Sequence, residues 1–297
     1  MSLVPRKQRT LGKEVAFSGI GLHTGSQVTM RFVPAKEGTG IIFRRSDLAG
    51  LPVIPATVEY VCDTKRSTSL GVGSIRIHTV EHVLAALKAY RVDNVLIDIS
   101  SIEPPIGNGS SDVFVEMIEE AGLVEQTQMV VPIAIQTPVY HSEGDVHLVA
   151  LPSEGFRVTY TLSYPGSHYL DGQFFSFLLT SEGFKREIAP CRTFCLYQEL
   201  SHLMDAGLIK GGSLDNAVVV KEDAVISKGG LFFPNEMARH KILDLIGDLS
   251  LIGFEVETHI LAVRSGHPSH FAFAKKLLQH ITMETPTWNP QRFAYSP

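Results

Sequence analysis

The run Arg239-His-Lys-Ile-Leu-Asp-Leu-Ile-Gly-Asp-Leu-Ser-Leu-Ile-Gly253 constrains this chain more than any other stretch. Ile242, Leu243, Leu245, Ile246, Leu249, Leu251 and Ile252 recur at helical spacing over most of the circumference. That pattern predicts a buried helix, with Asn235 as its N-cap and Gly253 as its stop. One polar stripe interrupts it: His240, Asp244 and Asp248 stand four residues apart and share a face. An imidazole and two carboxylates are costly to bury without partners. A divalent metal would satisfy them. So would a solvated face, or a His–Asp pair that only holds the helix in place, and this stretch alone does not choose.

With 297 residues, the chain has room for one large or two ordinary domains, and at 44% hydrophobic it has ample material for a core. The net charge of −5 argues against a general nucleic-acid or anionic-membrane binder. No apolar run reaches the length of a membrane span, so no stable membrane insertion is expected. Basic residues among positions 1–13 are not followed by the apolar region of a secretory signal. Cys62, Cys191 and Cys195 are odd in number and form no Cys-x-x-Cys pair, which disfavours a disulfide framework or a cysteine zinc site. A reducing cytoplasm is the expected compartment.

Residues 11–35 alternate around the Gly-rich turn 18–25 and predict two strands. Further strands are expected at 41–44, 53–61, 74–77 and 94–99, with a polar loop at 64–69. Residues 79–90 predict a helix capped by Thr79, and 112–121 a second one opened by Ser110 or Ser111. The polar break Gln126–Gln128 is the expected boundary between an N-terminal domain (1–127) and a C-terminal domain (128–283). After it the order repeats, strands first and then helices. Strands are expected at 130–139, 147–151, 157–163, 174–179, 217–221 and 255–264, the last ending at Ser265-Gly-His267. Helices are expected at 199–206, through His240, and at 270–280, with a loose tail over 284–297. Strands grouped with helices, rather than strictly alternating, predict an α+β fold.

His82 stands beside Glu81 at the start of the first helix. A lone histidine there is usually satisfied by a neighbour. If it faces His240 and Asp244, the three form a two-His, one-carboxylate set with a coordination position left for water, and Glu81 is within reach of that water. The chain has no His-Glu-x-x-His motif of the zinc proteases. His267, at a Gly turn, is either a solvated turn residue or a general acid, and Asp248 could orient it and raise its pKa. Thr193 carries no signal by itself. Lys241 and Arg264 are either surface cations or contacts for a phosphate or oxyanion.

Taken together, six segments resemble the zinc-dependent UDP-3-O-acyl-N-acetylglucosamine deacetylases of lipid A biosynthesis. They are 19–25, 78–84, 192–194, 211–216, 239–248 and 265–267, in the family's order, and the likeness runs from about Gly12 to about His280. The resemblance implies two similar α+β domains, each with helices packed against sheets in a β-α-α-β sandwich, and an active site at their junction. It implies a linear-amide hydrolase that removes the acetyl group from an acylated UDP-amino-sugar, the committed step of lipid A biosynthesis. His82, His240 and Asp244 would hold Zn(II), with Fe(II) possible at the same site. Glu81 would be the general base, His267 the acid, Asp248 its holder, and Thr193 a donor to the oxyanion. Lys241 and Arg264 would contact substrate. A β-α-β insert at about 193–220 would form an apolar acyl passage, with Phe194, Leu203, Met204 and Leu208 among its residues. The chain is expected to be monomeric.

Three positions depart from the family pattern: Asn108 for Asp, Cys191 for a smaller residue, and His270 for Asn. Two alternatives stand beside the hydrolase. Two histidines and a carboxylate also make the facial triad of non-haem iron oxygenases, though those sites need no glutamate beside the first ligand. A binding protein that keeps the fold would have no need for both an acid and a base.

Overall fold

Strands that bury every second side chain build this molecule. In the computed structural model, which describes residues 3–167, 169–222 and 224–284, Phe156–Leu162 and Val256–Val263 alternate buried and half-buried positions without a break. That is the pattern of a sheet with one face on a core. The first half runs β1 (Arg6–Leu11), β2 (Val15–Ile20), β3 (Gln27–Pro34), β4 (Ile41–Arg45), β5 (Val53–Pro55), β6 (Val61–Asp63), β7 (Ser69–Val72), β8 (Ile75–Ile77), α1 (Glu81–Ala89), β9 (Val95–Ile99) and α2 (Asp112–Ala121). Then come β10 (Leu123–Val130), β11 (Ile133–Ala134), β12 (Val139–Glu143), β13 (Val146–Leu151), β14 (Phe156–Leu162), β15 (Gln173–Leu178), α3 (Ser181–Glu187), β16 (Phe194–Leu196), α4 (Leu200–Asp205), β17 (Val218–Lys221), β18 (Ala224–Ile226), α5 (Glu236–Ser250), β19 (Val256–Val263) and α6 (His267–Glu284).

The main sheets have the orders β2-β3-β9-β4-β5 and β12-β13-β19-β14-β15, with β11 added to β19 in the second. Each main sheet carries a small three-stranded companion, β6-β7-β8 or β16-β17-β18. Four helices, α1, α2, α5 and α6, lie between the main sheets. α2 packs on β2 and α1; α1 crosses α5; α5 packs on β14, β15 and α6; and α6 packs on β12 and β13. The buried side chains of both halves merge into one core. This is the two-domain α+β fold expected from the residue order. Among the described residues, no helix is long and apolar enough to cross a membrane.

The α1–α5 crossing depends on Gly247. A Cβ at that position would stand 2.1 Å from the Glu81 carbonyl oxygen, so only glycine lets the two backbones meet so closely.

Several local expectations change. Residues 126–128 lie within β10, which pairs antiparallel with β1. β10 is polar at its centre and largely exposed on both faces, its apolar end residues included, so it carries no alternation to read. The expected strand 53–61 ends at Pro55 and gives way to a 3-10 turn at Val58–Tyr60. α3 is short and charged and escaped the periodicity; Thr180 caps it through the Gly183 amide at 3.1 Å. Thr79 does not cap α1: its φ of +53° turns the chain, and its hydroxyl donates to Glu103 Oε1 at 3.0 Å. Asn235 does precede α5, but its side chain makes no capping bond and instead accepts from Arg239 Nε. His267 opens α6 rather than closing a strand, and α6 runs on to Glu284. The rest of the expected tail lies outside the described residues.

A candidate metal and acid–base site where the two halves meet

The first turn of α1 is tied down on several sides. Val80 N–H donates to the Thr68 carbonyl at 3.2 Å, and Ser111 Oγ, at the start of α2, donates to the His82 carbonyl at 2.9 Å. Glu81 and His82 are thereby aimed at the polar stripe of α5, where His240, Asp244 and Asp248 are each no more than 3% exposed.

His82 Nε2 lies 3.8 Å from Asp244 Oδ1, and His240 Nε2 lies 3.4 Å from the same oxygen. The two rings stand edge to face with centroids 5.0 Å apart. His240 Nδ1 donates to the Cys191 carbonyl at 3.0 Å, which leaves Nε2 as the lone-pair nitrogen. His82 Nδ1 is buried with no hydrogen-bond partner among the described residues. Burial, reinforced by His240, pushes the His82 pKa down to about 3. Burial lowers that of His240 as well, against the pull of Asp244. Burial alone would raise Asp244, but Lys241 and the imidazoles outweigh it and hold the carboxyl well below its usual range. Lys241 Nζ takes Asp244 Oδ2 at 2.9 Å, so Oδ1 is the oxygen left facing the imidazoles. Two neutral imidazoles and one carboxylate, with ligand atoms within 4.8 Å of one another, fit a divalent transition metal.

A chain of acid–base groups abuts this set. His267 Nδ1 donates to Asp248 Oδ2 at 2.8 Å, and His267 Nε2 lies 3.9 Å from Glu81 Oε1. Burial lowers the His267 pKa, but Asp248 and Glu81 outweigh it and raise it to about 9, even at a helix start where a cation is disfavoured. Burial raises Glu81 to about 8, against the pull of His267. Asp248 would be raised by burial too, yet the charge and hydrogen bond of His267 bring it to about 2. His270 Nδ1 binds Asp248 Oδ2 at 2.7 Å, and its Nε2 meets Ser265 Oγ at 2.9 Å.

The other expected residues divide. Thr193 lies at the end of the loop from Cys191, with its backbone held by Gly109 and Val218, and no described group engages its hydroxyl. The Phe194 ring stands edge-on to His240 with centroids 6.4 Å apart, and Lys241 Nζ lies 5.6 Å from its centre. β16 and β17 run parallel with α4 between them, and β18 extends this insert beyond residue 220. Leu203 is buried in the insert, Leu208 is half-buried, and Met204 is 67% exposed. Arg264 is exposed, with a φ of +54° at the end of β19, and its guanidinium lies 3.6 Å from Asp145.

The three departures become intelligible. Asn108 accepts from the Ser110 amide and hydroxyl and so shapes its loop; Cys191 serves through its carbonyl; His270 keeps a donor on Asp248. Two contributors were missed. Thr68 touches Asp248, His267 and Glu81 from a polar loop without periodicity. Glu103, fully buried, gathers the His23 and Thr24 amides and the Thr24 and Thr79 hydroxyls. The Gly-rich turn it supports meets the second half directly, since a Cβ on Gly211 would stand 2.2 Å from the Gly21 carbonyl oxygen.

Residues 8–279 match the model of the UDP-3-O-acyl N-acetylglycosamine deacetylase family. The UDP-3-O-acyl-N-acetylglucosamine deacetylase of Chlamydia felis is 50% identical over 279 residues, covering 94% of this chain and 99% of that protein. The protein of the same name from Chlamydia pneumoniae is 49% identical over 282 residues, covering 95% and 100%. That from Chlamydia muridarum is 50% identical over 283 residues, covering 95% and 98%.

Proposed function

Because the chain belongs to the UDP-3-O-acyl N-acetylglycosamine deacetylase family, we propose that it hydrolyses the acetamide of an acylated UDP-N-acetylglucosamine in lipid A biosynthesis, releasing acetate and a free amine. The observation that carries this reading is the convergence of His82 and Glu81 from one half upon His240, Asp244 and His267 from the other. His82, His240 and Asp244 would hold the metal, Zn(II) being the natural choice and Fe(II) the alternative. Bound there, the metal would supply Lewis-acid polarisation of the carbonyl and a lowered pKa for water.

The chain's own groups do the rest. Glu81 Oε1, ionised, takes the proton of the attacking water as its oxygen bonds to the acetyl carbon. His267, protonated, delivers its Nε2 proton to the amide nitrogen as the C–N bond breaks. Asp248 keeps the Nδ1 proton in place, fixing the ring's orientation. Glu81 then returns its proton towards His267, 3.9 Å away, and the pair is reset. The Thr193 hydroxyl, which no described group engages, supports a role as donor to the developing oxyanion. Lys241 anchors Asp244 and, beside Phe194, is placed to meet substrate. Phe194, Leu208 and the insert's inner face suit the acyl chain. Three free thiols suit a reducing cytoplasm.

An oxygenase would have no use for the Glu81–His267 pair, and a binding module would not need both groups. The test is deacetylation of the acylated UDP-N-acetylglucosamine by purified protein, followed by elemental analysis of the wild type and of Glu81→Ala. The wild type is expected to be active and metal-bound, and the variant inactive with its metal retained. A turning-over Glu81→Ala enzyme would remove the assigned base. A metal-free wild type of full activity would remove the metal.

A further inference from the structure

We propose that Thr68 is a positioning residue that locks the base and the acid of this site in register, linking Glu81 on α1 to Asp248 on α5. The inference deepens the deacetylase reading and rests on it. Thr68 is only 2% exposed, and every polar group it owns is used. Its N–H donates to Glu81 Oε2 at 3.0 Å, and its carbonyl accepts from Val80 N–H at 3.2 Å. Its hydroxyl reaches Asp248 Oδ1 at 2.5 Å and lies 3.3 Å from His267 Nδ1.

The donor inventory sets the direction of these bonds. An ionised carboxylate only accepts, and the Nδ1 proton of His267 already goes to Asp248 Oδ2, so the single Thr68 hydroxyl proton goes to Oδ1. Asp248 then takes three donors: Thr68 on one oxygen, His267 and His270 on the other. Without the hydroxyl, Oδ1 is buried and unpaired, and the carboxylate is free to turn away from His267. The same residue sorts the oxygens of Glu81. With Oε2 held by the Thr68 amide, Oε1 is the oxygen presented to His267. One residue thus decides which oxygen of each carboxylate faces the chemistry.

The β6–β7 connection is shaped for this. Lys65 N–H closes an Asx turn on Asp63 Oδ1 at 3.0 Å, and Arg66 adopts a left-handed φ of +70° that turns the chain back towards α1. Ser69, next in line, anchors the return through His78 Nδ1 at 2.7 Å.

The test compares Thr68→Val, which keeps the size and the backbone amide but loses the hydroxyl, with Thr68→Ser, which keeps the hydroxyl. In metal-loaded full-length protein, Thr68→Val should lose about 10–100-fold in kcat with KM unchanged, the usual effect of removing an outer hydrogen-bond partner. Thr68→Ser should recover most of that loss, and the two variants should match in metal content, with Thr68→Val melting lower because Asp248 Oδ1 is left unpaired. On an Asp248→Asn background, Thr68→Val should add little, because the pair acts as one unit. A Thr68→Val enzyme with wild-type kcat, a loss confined to KM, or a serine variant no better than valine overturns the inference. Should the valine variant not fold, Thr68→Ser against Thr68→Ala carries the same comparison: an active serine and an impaired alanine support it, and equal activities overturn it. An inactive wild type would instead fell the deacetylase reading, whereas an active wild type with an unimpaired Thr68→Val fells this inference alone.

Discussion

In the first half β9 lies between β3 and β4, antiparallel to one and parallel to the other; in the second, β19 lies between β13 and β14 with the same senses. Both halves follow their sheet's edge strand with a small three-stranded unit, after α3 in the second half, and then a helix bearing candidate site residues. From that shared plan the halves diverge in chemistry. The first contributes the proposed base, one candidate ligand and the proposed Thr68 clamp. The second contributes two candidate ligands, the proposed acid and the carboxylate bonded to it. The small units diverge as well: β6-β7-β8 is a plain antiparallel meander, whereas β16 and β17 are parallel with α4 between them. Neither half holds a complete set, so the site exists only where α1 and α5 touch.

The sharpest way to break this comparison is to disable one group from each half. Glu81→Gln and His267→Gln are each expected to lower kcat by about 10²–10⁴-fold, with metal content unchanged by elemental analysis. If either variant turns over normally, that half's contribution is dispensable and the division fails. Next comes the joint. Gly247→Ala sets a methyl 2.1 Å from the Glu81 carbonyl oxygen, and overpacking of this kind costs about 1–3 kcal/mol. Thermal melts should show that loss, and metal content and turnover should fall together; a stable, fully active variant would mean the halves need not meet so closely.

Acidity offers a finer test. The proposed mechanism needs Glu81 ionised and His267 protonated, so kcat/KM should rise as Glu81 loses its proton and fall as the pH passes about 9, where His267 loses its own. His267 is held up by a carboxylate from its own half. Asp248→Asn should therefore move the high-pH limb to lower pH by at least about one unit. An unmoved limb would assign it to another group. The smallest effect is expected where the two small units touch at the surface. Arg66 and Glu199 pair at 3.0 Å with both side chains partly solvated, and Arg66→Ala should change stability by less than about 1 kcal/mol. A larger drop in a denaturant titration would make that contact part of the joint.

Legibility in the residue order followed locality. α5 was readable because His240, Asp244 and Asp248 sit on its 3.6-residue period, and α1 and β19 because their apolar residues repeat. The pairing of Glu81 with His82 was visible as adjacency. β10 reads as a break in the residue order because its ladder partner, β1, lies over a hundred residues earlier and its side chains are exposed on both faces. Arg264 stands next to Ser265-Gly-His267 in the residue order, but its ion-pair partner, Asp145, lies over a hundred residues away and has no local signal. Thr68 was invisible, since a threonine in a polar loop has no pattern that announces its partners.

The order of residues by itself determined the α+β class, the repeated succession of strands and helices, the buried helix with its polar face, and the residue types needed for a metal, a base and an acid. Each of these depends on interactions within a few residues, where backbone geometry dictates which side chains share a face. Only the tertiary structure decided that His82 meets His240 and Asp244, which oxygen of Asp248 holds His267, and that Thr68 supplies the other. Those pairings span up to 180 residues. They are set by how closely two helices can approach and by where the turns return the chain, quantities that no local period encodes.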